Sequence, residues 1–579
     1  MFYDNDKKIY DMKKISKIMV FLFISVFAFE GCSNLLDVDS NRLVSSDGYK
    51  MTGANDTLYS MFGIFSQLEK IADSYVLLGE LRGDLMDVSP KSNLYLKEIN
   101  DFNISSTNPY ANNIKDYYSV INNCNYVIHN IDTSVVRGGI KVMYKEYAAC
   151  KAIRAWTYMQ IALNFGSAIY YDKPVLTVQD AENVQKTTPL TITELAPILI
   201  NDILPWIDTP NPTLAVIYSQ DLNKSFFPIR FVLGDLYLWT GQYENAANEY
   251  RDLMVKNSYT ISNNIVDARE VSNVGTGAFT GGLSWYYFDV NSNEDITSIA
   301  ATNQYGYKFH LDSLTLNREI VPSAVSVTNW QTQPYHYYNR GTLVKLDTVG
   351  DLRLYSSVSV EQKFVFTDGT TSINKQGPIK NITPTSTNYI LKYLMVNPEA
   401  NTNKTSKQIM PYRVPLLYLR YAEAVNRLGK PNLAMVVLKY GLNNSNIQKY
   451  VPASEKVSLP NYMNFPDAQF DYSVKNADGT TISYTNVGIH MRGCGTTNED
   501  NTFYIIPKLP SQQDSVLYVE DLIQKESALE TAFLGNRFQD LMRIAIRRDD
   551  NAYLANIVSA KNSAIKGKLM DRANWYLKK

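Results

Sequence analysis

Three carboxylates fall within the nine residues "GELRGDLMD", where Glu80, Asp84 and Asp87 surround Arg82. Hydrolysis of a glycosidic bond needs two carboxyl groups facing each other at roughly 5 to 10 Å across a cleft, one as acid and one as base or nucleophile. Glu80 and Asp84 are four residues apart and share one face of a helix instead, with Arg82 between them, so an ion-pair network at a helix end is the expected arrangement. His129, His310, His336 and His490 show neither a His-Glu-x-x-His pair nor any other metal-ligand spacing, and no Gly-x-Ser-x-Gly elbow or Walker loop is present. No catalytic constellation, cofactor motif or metal site emerges. The expectation is a protein that is not an enzyme.

Binding chemistry is better represented. Tyrosine is the compositional outlier, at 42 residues, and two aromatic clusters, "SWYYFDV" and "NWQTQPYHYYNR", stand in polar surroundings. Sugar recognition needs flat rings against the C–H faces of a pyranose or furanose, with amides and guanidinium groups bonding its hydroxyls. Trp285, Tyr286, Trp330, Tyr335 and Tyr337 could supply the rings, and Arg82, Asn339 and Arg340 the polar partners. The competing reading is that such rings simply pack beneath their own loops.

The N-terminus says where the chain goes. Lys13, Lys14 and Lys17 precede a run from Ile18 to Phe29 that is almost wholly apolar, too short for the roughly 20 residues that cross a bilayer but shaped as a secretory signal. The run ends at Gly31-Cys32, and cleavage before Cys32 would leave a cysteine able to carry acyl chains. Residues 1–31 therefore read as signal peptide, with Met12 an alternative start, and 32–50 as a lipid-linked tether. Formal net charge is -1, from 56 basic and 57 acidic residues, which leaves no surplus to hold nucleic acid. Cys124, Cys150 and Cys494 allow at most one disulfide and read as core thiols.

The elements that must position these residues are mainly helices. Leu58, Met61, Phe62, Phe65 and Leu68 recur at helical spacing after a candidate cap at Asn55 or Asp56. Ala149, Ala152, Ile153, Trp156 and Met159 repeat the pattern up to Gly166, a C-cap candidate. In "VLGDLYLWTGQYENAANEY", the residues Leu233, Gly234, Tyr237, Ala246 and Tyr250 match a tetratricopeptide helix pair with Gly241 at its turn. Ala422, Gly429, Ala434 and Leu438 form a second copy. Between the copies, from about 267 to 404, long polar stretches replace the helical period. "KFVFTDGTTSINK" and, later, "DYSVKNADGTTISY" each place Asp-Gly between β-prone residues, a hairpin signal.

The order of several segments resembles the SusD/RagB family of outer-membrane nutrient-binding lipoproteins. They are "CSNLLDVDS", "LGELRGDLMDV", "NNCNYVI", "EYAACKAIRAWTYMQIALNFG", "YILKY", "YLRYAEAVNRLG" and "KESALETAFLGNRFQDLMRIA". The chain departs from the family at Leu534, where Glu is common, and in its ending "NWYLKK". The resemblance implies a mostly α-helical, single SusD-like domain over 51–579, with a helical scaffold of tetratricopeptide-like pairs at about 51–266 and 405–579. A loop-rich insertion containing β-hairpins at about 267–404 would capture an oligosaccharide or, in some members, a peptide. It further implies a lipid-anchored place on the outer face of the outer membrane and a SusC-like TonB-dependent transporter as partner, over which the lipoprotein closes. A surface glycoside hydrolase or an adhesin are the alternatives.

Overall fold

The computed structural model describes Met51 and residues 54–578, except 215, 218–219, 262–293, 301–309, 340–341, 347–349, 359–360, 366–370, 376–388, 398–401, 406–407, 458–459, 476–478, 480 and 496–503. Helices dominate. The first, α1 (Ala54–Glu80), begins ahead of Asn55 and Asp56, which therefore lie in its first turn rather than capping it. Its last ten residues, from Ile71 to Glu80, are all buried. After the short α2 (Leu94–Asn100), α3 (Ile114–Asn130) and α4 (Tyr144–Phe165) pack side by side. Every residue of α4 from Ala148 to Phe165 is buried, so the alanine stripe anticipated from sequence is one side of a helix enclosed all round. Gly166 ends it in the left-handed conformation, at φ +81°.

Successive helices then pack neighbour to neighbour: α5 (Ile192–Ile203) on α4, α6 (Ile229–Trp239) on α5, and α7 (Tyr243–Asn257) on α6. Gly234 sets the closest approach of that last pair. A Cβ there would fall 2.3 Å from the Tyr250 ring, whose hydroxyl donates to Asp235 at 2.7 Å. After the short α8 (Ala324–Gln331), α9 (Val414–Arg427) packs on α7 and on α10 (Gln512–Glu530), and α11 (Arg537–Arg548) returns to α1. No helix among the described residues is long and apolar enough to cross a membrane.

Strands are short, and every sheet among the described residues is a two-stranded antiparallel ladder. β1 (Met86–Val88) pairs with β3 (Ile320–Pro322), and β2 (Asp295–Ala300) pairs with β10 (Gln408–Arg413), tying the middle of the chain to the helices on either side. The others are hairpins, among them β4 (Tyr335–Asn339) with β5 (Thr342–Leu346), β6 (Glu361–Val365) with β7 (Thr371–Lys375), β8 (Leu394–Asn397) with β9 (Thr402–Thr405), and β11 (Asp471–Lys475) with β12 (Thr481–Thr485). The sixth-to-seventh and eleventh-to-twelfth pairings fall where the two Asp-Gly signals stand in sequence.

Candidate ligand-binding face and the charged core beneath it

Glu526 and Glu530 lie one turn apart on α10 and point into the same buried cluster. The Arg353 guanidinium donates to Glu526 at 2.7 Å and to Glu530 at 3.0 Å, and pairs with Asp351 at 2.6 Å. Arg492 spans from Glu530 to Glu294, 2.8 Å from each, and Arg413 donates to Glu294 at 3.0 Å. His490 Nδ1 lies 2.8 Å from Glu526, and the Tyr504 hydroxyl donates to the same carboxylate at 3.1 Å while its ring stacks on the imidazole, centroids 4.2 Å apart. Charges so deeply buried survive only when paired and hydrogen-bonded. Burial alone would raise the Glu526 carboxyl, but Arg353 and His490 hold it down to about 2. Burial also pushes the Lys392 ammonium down to about 7, with Arg413 adding to the effect; its Nζ donates to the Ala532 carbonyl at 2.8 Å.

This cluster joins chain segments around 294, 351, 413, 490, 504 and 530. Gly493 permits the contact, since a Cβ there would lie 1.8 Å from an Asp351 carboxylate oxygen. The Leu352 amide donates to the Gly493 carbonyl, and His336 on β4 bridges to Gly495. The β4–β5 hairpin is thereby seated on the charged core.

The "GELRGD" carboxylates belong to the same kind of construction. Glu80 accepts from the backbone amides of Gly535 at 2.7 Å and Phe533 at 3.0 Å; burial raises its carboxyl to about 7 against those two bonds. Asp84 takes Arg537 in a two-pronged pair at 2.6 and 3.0 Å. The expected ion-pair network holds for Asp84 alone, whose partner is the distant Arg537; Glu80 is held by backbone amides, and Arg82 pairs with neither carboxylate.

Several residues expected to touch ligand are in the interior instead. Arg82 is fully buried: it donates to the carbonyls of Leu78 at 2.7 Å and Trp575 at 3.0 Å and to the Asn164 side chain, and lies 4.5 Å from the Phe538 ring centroid. It locks the end of the chain to α1. Trp330 is equally buried and donates through its indole N–H to the Leu529 carbonyl at 3.0 Å. Tyr335 is 1 % exposed, with Gly495 against its ring. The Trp330 and Tyr335 rings have no exposed face to stack on a sugar and the Arg82 guanidinium is as deeply buried, so none of the three forms a binding surface in this structure. Tyr337 and Asn339 stand on β4, while Trp285, Tyr286, Arg340 and Cys32 lie outside the described residues. Cys124, Cys150 and Cys494 are buried free thiols.

Sequence reasoning passed over two half-exposed aromatic groups. Tyr440 and Tyr450 stack with centroids 3.7 Å apart, and Trp206 meets Tyr144 and Tyr147 at 5.1 and 4.7 Å. Trp206 stands far along the chain from Tyr144 and Tyr147, and Tyr440 and Tyr450 end two different helices, so no continuous aromatic run announces either group. The residues of the ionic cluster, His490 apart, were likewise not singled out one by one, and only Lys392, Glu526 and Glu530 sit in the segments that carry the family resemblance.

No protein-family model matches the sequence, and comparison with curated proteins returns no match. Solved structures do match. A SusD superfamily protein from Bacteroides thetaiotaomicron aligns with a TM-score of 0.54 at 13% identity, covering 90% of this chain and 97% of that one. A SusD superfamily protein from Bacteroides vulgatus gives 0.53 at 14% identity over 89% and 91% of the two chains. A SusD-like carbohydrate binding protein from Bacteroides fragilis gives 0.53 at 12% identity over 86% and 88%. The chain has a SusD-like, mostly helical fold, as the order of its segments implied.

Proposed function

We propose that this SusD-like chain is a surface lipoprotein that binds a glycan on its loop-rich face, leaves it uncut, and delivers it to a SusC-like TonB-dependent transporter. The observation that carries the reading is the fold, shared over nearly the whole chain with a protein described as a SusD-like carbohydrate binding protein. Hairpins seated on a rigid charged core supply what a binding face requires: variable loops on a fixed base. Trp285, Tyr286 and Tyr337 are the ring candidates that remain after Arg82, Trp330 and Tyr335 are assigned to the interior. The engagement of Glu80 with backbone amides and of Asp84 with Arg537 supports binding over hydrolysis. The lipid would be carried by Cys32, on the sequence evidence of the short apolar run ending at Gly31-Cys32. The transporter would sit against the helical scaffold, over a surface of well over about 1,000 Å² for a lasting complex.

Incubation of the purified protein with a glycan panel, followed by calorimetry and by chromatography of the sugars, tests the reading. Binding without shortened products is the expected result. Enzyme-dependent shortening, or binding of peptides and no glycan, would overturn it.

A further inference from the structure

A cleft of about 370 Å³ opens between α2 and the last short helices of the chain, and none of its lining residues belongs to the segments that form the hairpins. One wall is a single face of α2 and its C-terminal cap, where Leu94, Lys97, Glu98 and the capping Asp101 recur at helical spacing. The other is built from Asn562, Ile565 and Lys568. The two walls are joined: the Asn562 amide donates to the Asp101 carboxylate, and the Lys568 ammonium to the Asp101 carbonyl, each at 3.2 Å. Glu98 is also fixed in place, one oxygen accepting from the Ser105 hydroxyl at 2.8 Å and from the Asn108 amide at 2.9 Å. Leu94, at the mouth, is 66 % exposed, a large apolar side chain left in water.

We propose that this cleft is a second carbohydrate site that takes one neutral sugar residue, an inference that rests on the glycan-binding reading. Two ammonium groups and two carboxylates cancel in charge, so neither an anion nor a cation is favoured overall. Lysine and amide donors alternate with carboxylate acceptors, which suits hydroxyl groups, since each donates one hydrogen bond and accepts others. Leu94 and Ile565 offer an apolar patch to the C–H face of the ring. The volume lies at the small end of ligand sites. With no aromatic ring among the lining residues, contact with a single sugar is weak. Its use is as a second attachment point: a long glycan held on the loop-rich face and here gains from effective concentration without a new strong contact.

Hydrogen–deuterium exchange of the full chain, with and without methyl glycosides of glucose, galactose, mannose and N-acetylglucosamine, tests the site. At least one glycoside is expected to slow exchange in residues 94–103 and 561–569. In Asp101→Ala/Lys568→Ala its half-saturating concentration is expected to rise about tenfold or more, the loss of roughly one or two good hydrogen bonds. Leu94→Lys, changing only an exposed residue, should weaken it as well while leaving the unfolding midpoint unchanged. Protection confined to the hairpin segments would overturn the cleft site and leave the glycan-binding reading standing. Protection nowhere, by these sugars or by the glycan panel, would overturn both, and protection of the cleft by free amino acids in place of glycosides would overturn the sugar assignment alone.

Discussion

The charged core and the hairpins are held in opposite ways. In the core, Glu294, Asp351, Arg353, Arg413, Arg492, Glu526 and Glu530 are all buried; Asp351 pairs with Arg353 two residues on, and the others have partners far off in the chain. In the hairpins, each strand pairs with its sequence neighbour, and on β11 the residues from Tyr472 to Lys475 are exposed. The core joins remote segments by ion pairs whose failure is costly. The hairpins depend on local pairing, with β4 also bridged at His336 to Gly495. Of these core residues only Glu526 and Glu530 lie in a segment that carries the family resemblance, "KESALETAFLGNRFQDLMRIA".

The sharpest way to break this contrast is to remove the centre of the core. Arg353→Met would leave Asp351, Glu526 and Glu530 facing one another with one fewer cation, and the loss of stability is expected to be about 3–5 kcal/mol. Urea denaturation followed by circular dichroism measures it. A loss below about 1 kcal/mol would mean that water or rearrangement compensates the cluster and that the core does not anchor the face.

Acid should reach the same cluster without mutation. The Glu526 carboxyl sits at about 2 in the folded protein against an ordinary 4.5. A carboxyl depressed by folding contributes stability that is complete above 4.5 and is lost as pH falls toward 2, on the order of 3 kcal/mol here. Glu80, raised to about 7, acts with the opposite sign: the folded state gains relative stability as pH falls from 7 to 4.5. Stability measured against pH should therefore hold or rise slightly down to about 4.5 and fall steeply below it. In Glu526→Gln the fall should be shallower, and an unchanged acid limb would remove Glu526 from the account.

Much of the helical scaffold was legible because a buried helix leaves a period in its own sequence. The stripe through Trp156, the close approach at Gly234 and both Asp-Gly hairpins follow from local spacing. The fate of Trp330 and Tyr335 was not legible. An aromatic residue between polar neighbours reads alike whether it stacks on a ligand or fills the hole under its loop, and only the tertiary partners, the Leu529 carbonyl and Gly495, decide the matter. Arg82 misled for a related reason. Its partners, Asn164 and Trp575, lie 82 and 493 residues away, beyond the reach of any periodicity. That Glu80 and Asp84 share a helix face rather than flank a cleft could be read from their spacing, but the amides that hold Glu80 and the arginine that pairs with Asp84 could not.

A smaller effect is expected where the scaffold is tight but uncharged. Gly234→Ala places a methyl group against the Tyr250 ring, and overpacking of this kind costs about 1–3 kcal/mol. Because Tyr250 also donates to Asp235, the strain would reach a hydrogen bond that Asp235 shares with Tyr412, at 2.9 Å. Thermal unfolding measures the cost, and a neutral result would show that α6 and α7 can separate without penalty.

The smallest effect belongs to the hairpins, and it is the one that tests the contrast from the other side. Val474 on β11 is 44 % exposed, and its cross-strand partner in the ladder is Ile482. Val474→Thr keeps the β-branched shape that a strand favours and exchanges one exposed methyl group for a hydroxyl, so stability should change by less than about 0.5 kcal/mol. The change is expected to be as small at pH 4.5 as at pH 7, because no ionisable group of the core is involved. Matched urea denaturation curves at the two pH values check both statements. If the variant lost more than about 1 kcal/mol, or lost it only in acid, the hairpin would be coupled to the charged cluster, and a substitution on the face could not be read as a change in binding alone.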